Sequence, residues 1–136
     1  MFRICTFALF LMLNAPLVMA ADVIDEMLTS YQAEGVSHFD ADEGDKLWHQ
    51  QFPAPVDAES SKARSCQTCH GADLKKPGEH IRTGKVIKPM SLTVSADRYS
   101  DVKKINKWFR RNCNWVMGRE CTNQEKGNLL IYLRQQ

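Results

Sequence analysis

The segment Cys66-Gln67-Thr68-Cys69-His70 constrains this chain of 136 residues more than any other feature. Its spacing, C-x-x-C-H, is the attachment signature of haem c. Two thiols one helical turn apart can reach the two vinyl groups, and the adjacent imidazole is left beneath the iron as its proximal ligand. Because the motif occurs once, we expect one haem c, bound covalently by Cys66 and Cys69 and ligated by His70.

Two other kinds of site also use paired cysteines. A thioredoxin-like redox pair shares the C-x-x-C spacing, but it requires a βαβ context that this sequence does not indicate. A four-cysteine zinc site usually supplies a second close pair, whereas Cys113 and Cys121 are eight positions apart. The sequence therefore favours haem over both alternatives.

The first twenty residues have the pattern of a secretory signal peptide. One basic residue precedes an apolar run that ends in a small-residue cleavage pattern at Ala20. A retained membrane anchor is the alternative, but Asn14 and Pro16 interrupt the run, and it is shorter than the roughly 20 apolar residues of a spanning helix. We expect removal of residues 1–20 and export of residues 21–136 to the periplasm as one domain that is not embedded in the membrane.

The net charge limits the kinds of partner, and the number of cysteines limits the redox state of their thiols. Loss of the signal peptide leaves 17 basic residues (18 less Arg3) against 16 acidic ones, a net charge of +1. Two haem propionates would bring it to about −1, which argues against nucleic acid as a partner. In an oxidising compartment no cysteine should stay idle, so Cys113 and Cys121 can form a disulfide if Cys66 and Cys69 hold haem.

Apolar residues at helical spacing predict two helices before the haem motif. The first covers residues 23–31, and the second starts at Asp40 or Asp42 and stops before Pro53. The second helix carries Gly44, and such a glycine resembles the one that lets two helices cross closely in class I cytochromes c. The candidate crossing residues are Gly44, Leu47, Trp48, Leu129 and Tyr132, although generic core packing explains them equally well.

The part of the chain after the motif is predicted to contain loops and two further helices. Residues 71–95 are irregular and would wrap a cofactor, whereas residues 101–112 carry an apolar stripe. Thr122 and Glu125 form a capping-box pattern before the last helix. No strand is predicted, so we expect an all-α domain with about four to five helices wrapped around the haem.

The sixth iron ligand separates an electron carrier from a gas-binding haem protein. The sulfur and imidazole candidates are Met90, Met117, His38, His49 and His80, and none of them stands out. Asn112 continues the apolar stripe of its helix and could simply cap that helix. A disulfide at the adjacent Cys113 would hold the backbone there, so a weak ligand could be kept near iron.

The chain also resembles a known family, the sphaeroides haem protein family of small oxygen-binding cytochromes c. The segment RNCN with its second cysteine is the most specific part of this resemblance, which extends over nearly all of residues 21–136. The matching segments are Cys66–Asp73, Arg82–Lys85, Asp97-Arg98, Lys107-Trp108, Arg111–Cys121, Thr122, Glu125-Lys126 and Leu129-Leu130.

The resemblance implies a class I-like helical fold in which Asn112 is the distal ligand of ferric haem and leaves on reduction. It also implies a disulfide between Cys113 and Cys121, and a dihaem cytochrome c and a membrane b-type cytochrome as electron partners. Relatives called cytochrome c'' are similar but carry histidine at the position of Asn112.

This ligand assignment agrees with coordination chemistry. A neutral carboxamide is a poor donor that ferric iron tolerates better than ferrous iron, because the softer reduced metal prefers O2, NO or CO. Trp108, Phe109 and Trp115 could wall the distal site. As a hypothesis, the cationic side chains Arg82, Lys85 and Arg111 meet the propionates.

Three functions remain open from the sequence. The first is a redox-linked, gas-binding cytochrome that exchanges electrons with other cytochromes. The second is a plain electron carrier with a permanent Met90 or histidine ligand. The third is an enzyme acting at an open haem site, but no acid–base constellation singles it out, so we expect no enzymatic role.

Overall fold

The computed structural model describes residues 20–54 and 62–136, so the predicted signal peptide lies outside the described residues except for Ala20. Six α-helices occur in these two ranges: α1 Ala20–Ala33, α2 Ala41–His49, α3 Gln67–His70, α4 Leu92–Ser95, α5 Val102–Met117 and α6 Asn123–Arg134. Strands β1 (Gly78–Glu79) and β2 (Val86–Ile87) form a small antiparallel pair, and a 3-10 turn covers Ala96–Tyr99. No helix in the described ranges is both long enough and apolar enough to span a bilayer.

Helix α1 buries the apolar face that its sequence predicts. Its buried residues are Val23, Ile24, Met27, Leu28 and Tyr31. They pack in one core with α6 and with Tyr99 of the 3-10 turn. The chain leaves this helix through Gly35, whose φ of +101° lies in the region that favours glycine.

Helix α2 crosses α6 at a glycine contact. Asp40 caps α2 by accepting hydrogen bonds from the N–H groups of Asp42 and Glu43 at 2.8 and 3.3 Å. A Cβ atom at Gly44 would overlap the carbonyl group of Asn128 and press on Tyr132. Gly44 therefore allows a close crossing, the first of the two explanations that the sequence left open, and Trp48 one turn later packs on the Tyr132 ring at 6.0 Å between centroids.

Helix α5 is longer than the sequence predicted, and this corrects the expectation that it ends at Asn112. It continues from Asn112 through Cys113 to Met117, so Asn112 lies inside the helix and does not cap it. The end is set by Gly118, which has φ +71° and donates its N–H to the carbonyl of Asn114 at 3.1 Å. Asn112 thus projects from a regular helical turn, where its direction is fixed by helical phase.

The last helix and the irregular region differ in how well they were predicted. The capping box of Thr122 and Glu125 is present, and Leu129, Leu130 and Leu133 are buried, as expected. The pairing of Gly78 with Ile87 and of Glu79 with Val86 was not predicted. Two-residue strands are too short to show a period of two, so periodicity cannot reveal them.

Candidate functional site

A cavity of about 810 Å³ lies between α2, α3, α5, α6 and the chain around residues 80–90. This volume falls in the range of roughly 300–1,000 Å³ that is typical of cofactor pockets. Its apolar walls come from α2 and α6 on one side and from α5 on another. The apolar and aromatic lining includes Leu47, Trp48, Ile105, Trp108, Phe109, Trp115, Leu129, Leu130 and Leu133.

The C-x-x-C-H segment forms part of the cavity wall, where α3 presents Cys66, Cys69 and His70 together. The helix starts there because Ser65 and Thr68 cap each other: the Ser65 N–H donates to Thr68 Oγ1 at 2.9 Å, and the Thr68 N–H donates to Ser65 Oγ at 3.2 Å. Gly71, with φ +74°, ends the helix immediately after the histidine. Both thiols are free, as covalent attachment of haem requires.

Burial controls the protonation of the histidine and of the first cysteine. Burial, helped by the positive charge of Arg98, lowers the pKa of His70 to about 4, so the ring is neutral near pH 7 and can bind a metal. Its Nδ1 atom is buried without a hydrogen-bond partner among the described residues. Burial raises the pKa of the Cys66 thiol to about 11, the reverse of what a thioredoxin-like nucleophile needs.

The second cysteine pair does not build a zinc site. Cys113 and Cys121 are joined by a disulfide, with their Cα atoms 5.6 Å apart. Across residues 20–54 and 62–136, no group of three or more His, Cys, Asp or Glu side chains could hold a metal ion. A neutral, buried imidazole and two free thiols on the wall of a large apolar cavity instead fit haem c.

Helix α5 brings the predicted distal residues to the same cavity. Asn112 lines it together with Trp108, Phe109 and Trp115. The neighbouring Asn114 does not line the cavity, and its side-chain amide donates to the Arg110 carbonyl at 2.7 Å. The structure therefore separates the two asparagines of the RNCN segment, because two helical residues place them about 200° apart around the axis.

The alternative iron ligands are only partly brought together. Met90, Met117 and His80 line the cavity, whereas His38 and His49 do not. The sulfur of Met117 lies 3.5 Å from Cys121 Sγ, so it packs on the disulfide.

His80 and Met90 are held by their own neighbours. The Nδ1 atom of His80 accepts a hydrogen bond from the Thr83 N–H at 3.2 Å. The carbonyl of Met90 accepts a hydrogen bond from Tyr99 Oη at 2.6 Å. Tyr99 was not singled out from the sequence, because it belongs to no motif or helical stripe, and Arg98 was noted only as part of the family resemblance.

Cationic side chains surround part of the cavity. Arg82, Lys85 and Arg111, the proposed propionate partners, all line it, and the structure adds Lys88, Arg98 and Lys104. The Arg111 guanidinium also lies 5.1 Å from the centre of the Trp108 ring, an arrangement suited to a cation–π contact. This cationic rim can accommodate the two carboxylates of a haem whose ring fills an apolar space.

Comparison with known proteins gives consistent similarities. A family model described as a domain of unknown function (DUF1924) matches residues 34–133. The chain is 38% identical to the cytochrome c-type protein SHP of Cereibacter sphaeroides over 111 residues, which are 82% of this chain and 82% of that protein. The structure of oxidised SHP, described as an oxygen-binding cytochrome c, is similar, with a TM-score of 0.73 at 36% identity. The match covers 83% of this chain and 96% of the SHP chain.

Cytochrome c'' of Methylophilus methylotrophus is also similar in structure. Its oxidised crystal structure has a TM-score of 0.72 at 25% identity, over 86% of this chain and 94% of that one. A solution structure of the same protein, concerned with haem-ligand detachment, has a TM-score of 0.69 at 25% identity, over 86% and 93% of the two chains.

Proposed function

This chain belongs to the family of the cytochrome c-type protein SHP, and from that membership we propose that it is a periplasmic cytochrome c with one haem. Its all-α, class I cytochrome c-like fold is shared with the solved structures of SHP and cytochrome c''. In this proposal residues 1–20 are a signal peptide and residues 21–136 form the haem domain. Cys66 and Cys69 form the two thioethers, and His70 is the proximal ligand.

We further propose that Asn112 is the distal ligand in the ferric state and withdraws on reduction. The observation that carries this proposal is that α5 places Asn112, and not Asn114, on the wall of the cavity that contains His70. When bound, the haem supplies an iron that changes oxidation state and can take O2, NO or CO.

The surroundings of Asn112 fit such a role. A carboxamide oxygen is a weak, neutral donor, so it competes better for ferric than for ferrous iron. Trp108, Phe109 and Trp115 line the same cavity beside it and supply aromatic surface there. Once released, the Asn112 amide could donate a hydrogen bond to a diatomic ligand. The SHP structure, described as an oxygen-binding cytochrome c, is similar in fold and supports this assignment by analogy.

Asn112 and Asn114 of α5 provide the test. In N112A we expect loss of the ferric low-spin absorption spectrum, because no carboxamide remains on the cavity wall. In the matched control N114A we expect the wild-type spectrum, because that side chain bonds to the Arg110 carbonyl instead. Dithionite-reduced wild-type protein should show a five-coordinate spectrum that CO converts. An unchanged ferric spectrum in N112A would reject the ligand assignment.

A second candidate function is a plain electron carrier with a permanent sulfur or imidazole ligand. Met90 lines the cavity and Tyr99 holds its backbone, which would suit a fixed methionine ligand. This alternative predicts a low-spin ferrous spectrum that CO does not change and that is lost in M90A, or in H80A if His80 is the ligand. Spectra of these two variants therefore distinguish the carrier from the gas-binding protein.

We propose electron exchange with other cytochromes, a dihaem cytochrome c and a membrane b-type cytochrome, and no enzymatic reaction. The first half of helix α5 carries three exposed lysines, Lys103, Lys104 and Lys107, and no acidic residue. Such a surface attracts acidic partners and accelerates their association at low ionic strength.

A further inference from the structure

Arg64 is a buried cation that the proposed haem chemistry does not use. The residue is only 8% exposed, and none of the ion pairs formed by the described residues includes it. It does not line the cavity, although its chain neighbours Ser65 and Cys66 do. A buried guanidinium without a carboxylate is costly, so its remaining contacts need an explanation.

The side chain of Arg64 contacts the last turn of α5 in two ways. Its Nη1 atom donates a hydrogen bond to the Trp115 carbonyl at 3.1 Å. Its guanidinium carbon also lies 4.2 Å from the centre of the Trp115 indole. The Trp115 carbonyl is one of the last four in the helix, which have no partner within the helix itself, so Arg64 supplies the missing donor.

The charge of Arg64 also suits this position. The carbonyl end of a helix carries a partial negative charge that a nearby cation stabilises. The last turn of α5 contains no basic residue of its own. Arg64 therefore provides this cation from a segment that is distant in sequence.

The backbone of Arg64 is held as well. Arg64 and Phe52 exchange two backbone hydrogen bonds of 2.8 Å each, which tie the segment before the haem motif to the chain that follows α2. Arg64 is also only two positions before Cys66. Its side chain consequently connects the haem attachment segment directly to the helix that carries Asn112.

We propose that Arg64 is a positioning residue for the distal ligand. It fixes Trp115, which lies three positions after Asn112 and lines the same cavity, so it sets the distance between the last turns of α5 and the attached haem. The disulfide at Cys113 restrains the same turn from the side of α6. A weak ligand binds iron only when it is held in place, because the ordering entropy otherwise exceeds what the bond contributes. This inference rests on Asn112 being the ferric ligand.

The test compares R64A, R64K and the control R110A by absorption spectroscopy of the ferric protein. In R64A we expect the ratio of low-spin to high-spin haem to fall roughly tenfold, because a charged hydrogen bond to Trp115 is lost. R64K should be intermediate, since an ammonium group can donate to the carbonyl but cannot stack as a plane on the indole. R110A, which removes an exposed cation of the same helix, should keep the wild-type ratio.

Two comparisons separate the failure of this inference from the failure of the proposed function. If N112A leaves the ferric spectrum unchanged, the ligand assignment itself is wrong. If N112A changes the ferric spectrum while R64A and R64K keep the wild-type ratio of low-spin to high-spin haem, only the proposed role of Arg64 is wrong. A lower unfolding temperature of R64A would not alter that conclusion. The double variant R64A/N112A should match N112A, and a further spectral change would overturn the inference. If R64A does not accumulate, a wild-type ratio in R64K alone overturns it.

Discussion

The α2–α6 crossing and the C-terminal end of α5 line the same cavity but are held in different ways. At the crossing, Gly44 lies against the backbone of Asn128, and buried side chains such as Leu130 and Trp48 surround the contact. At the end of α5, the restraints are the Cys113–Cys121 disulfide and the Arg64 contacts with Trp115. The first region is stabilised by close packing, whereas the second depends on a few directional links.

This difference agrees with the proposed function, in which one small domain combines a stable haem pocket with a ligand that leaves. Close-packed interfaces resist small displacements, because any shift creates overlap or a void. A helix end held by discrete links can shift when one link or ligand changes. We therefore expect changes at the crossing to affect stability but not the ferric spectrum, and changes at the end of α5 to affect both.

The largest effect should come from Gly44→Ala. The added Cβ would overlap the Asn128 carbonyl, so we expect a loss of about 3 kcal/mol in the free energy of unfolding, at the upper end for overpacking. Denaturant titration of the ferric holoprotein measures this. Lys46→Ala is the control in the same helix, because its ion pair with Glu43 is exposed to solvent and its loss should leave the stability close to that of the wild type. Equal stability of the two variants would contradict the close crossing.

The next effect should come from replacing both Cys113 and Cys121 by alanine. Opening this short loop should lower the free energy of unfolding by about 2.5 kcal/mol through unfolded-chain entropy. The ferric low-spin fraction should fall as well, since Asn112 directly precedes Cys113. A spectrum like that of the wild type, despite lower stability, would show that the disulfide does not help to position the ligand and would weaken the contrast between the two regions.

The smallest effect should come from Glu125→Gln at the start of α6. The hydrogen bonds from Arg119 and from the N–H and hydroxyl groups of Thr122, together with the charge of Arg119, hold the pKa of the Glu125 carboxyl below its usual range. A lowered pKa in the folded state gives stability that is present above the unfolded-state pKa of about 4.3 and is lost as pH falls through the folded-state value.

The variant should therefore lose about 1 kcal/mol at pH 7, as expected for a helix cap, and the difference should shrink on acidification below about pH 4. Denaturant titrations across this pH range measure the difference. Gln124→Ala is the control, because its amide donates to the His38 carbonyl and to Asn128 rather than to Glu125, so its loss should persist in acid. A difference between E125Q and the wild type that stayed constant with pH would rule out this linkage.

Much of the fold was predictable because its signals are local. The buried face of α1, the Asp40 cap and the Thr122–Glu125 box each depend on residues within one or two turns of one another. The end of α5 was predicted wrongly at Asn112, because asparagine and cysteine favour helix ends in isolation. The helix instead continues to Met117, where Gly118 ends it, and the disulfide to Cys121 holds Cys113 within its last turns.

The candidate site was predictable to a similar degree. The C-x-x-C-H motif is contiguous, so its residues share one wall of the cavity by necessity. Arg64 and Tyr99 could not be recognised, because their contacts are not local. Arg64 donates to the carbonyl of Trp115, 51 positions away, and Tyr99 donates to the carbonyl of Met90, 9 positions away. No local pattern records such a pairing, since it arises only when separate segments pack together.

The sequence by itself determined the contiguous C-x-x-C-H motif, on which the proposal of one covalent haem rests, and the amphipathic helices, because both properties reside in short-range spacing. Only the tertiary structure decided which side chains meet around that site. It placed Asn112 on the cavity wall and Asn114 off it, and it brought Arg64 to the end of α5. The physical reason is that helical phase and long-range packing, rather than composition, set the direction in which each side chain points.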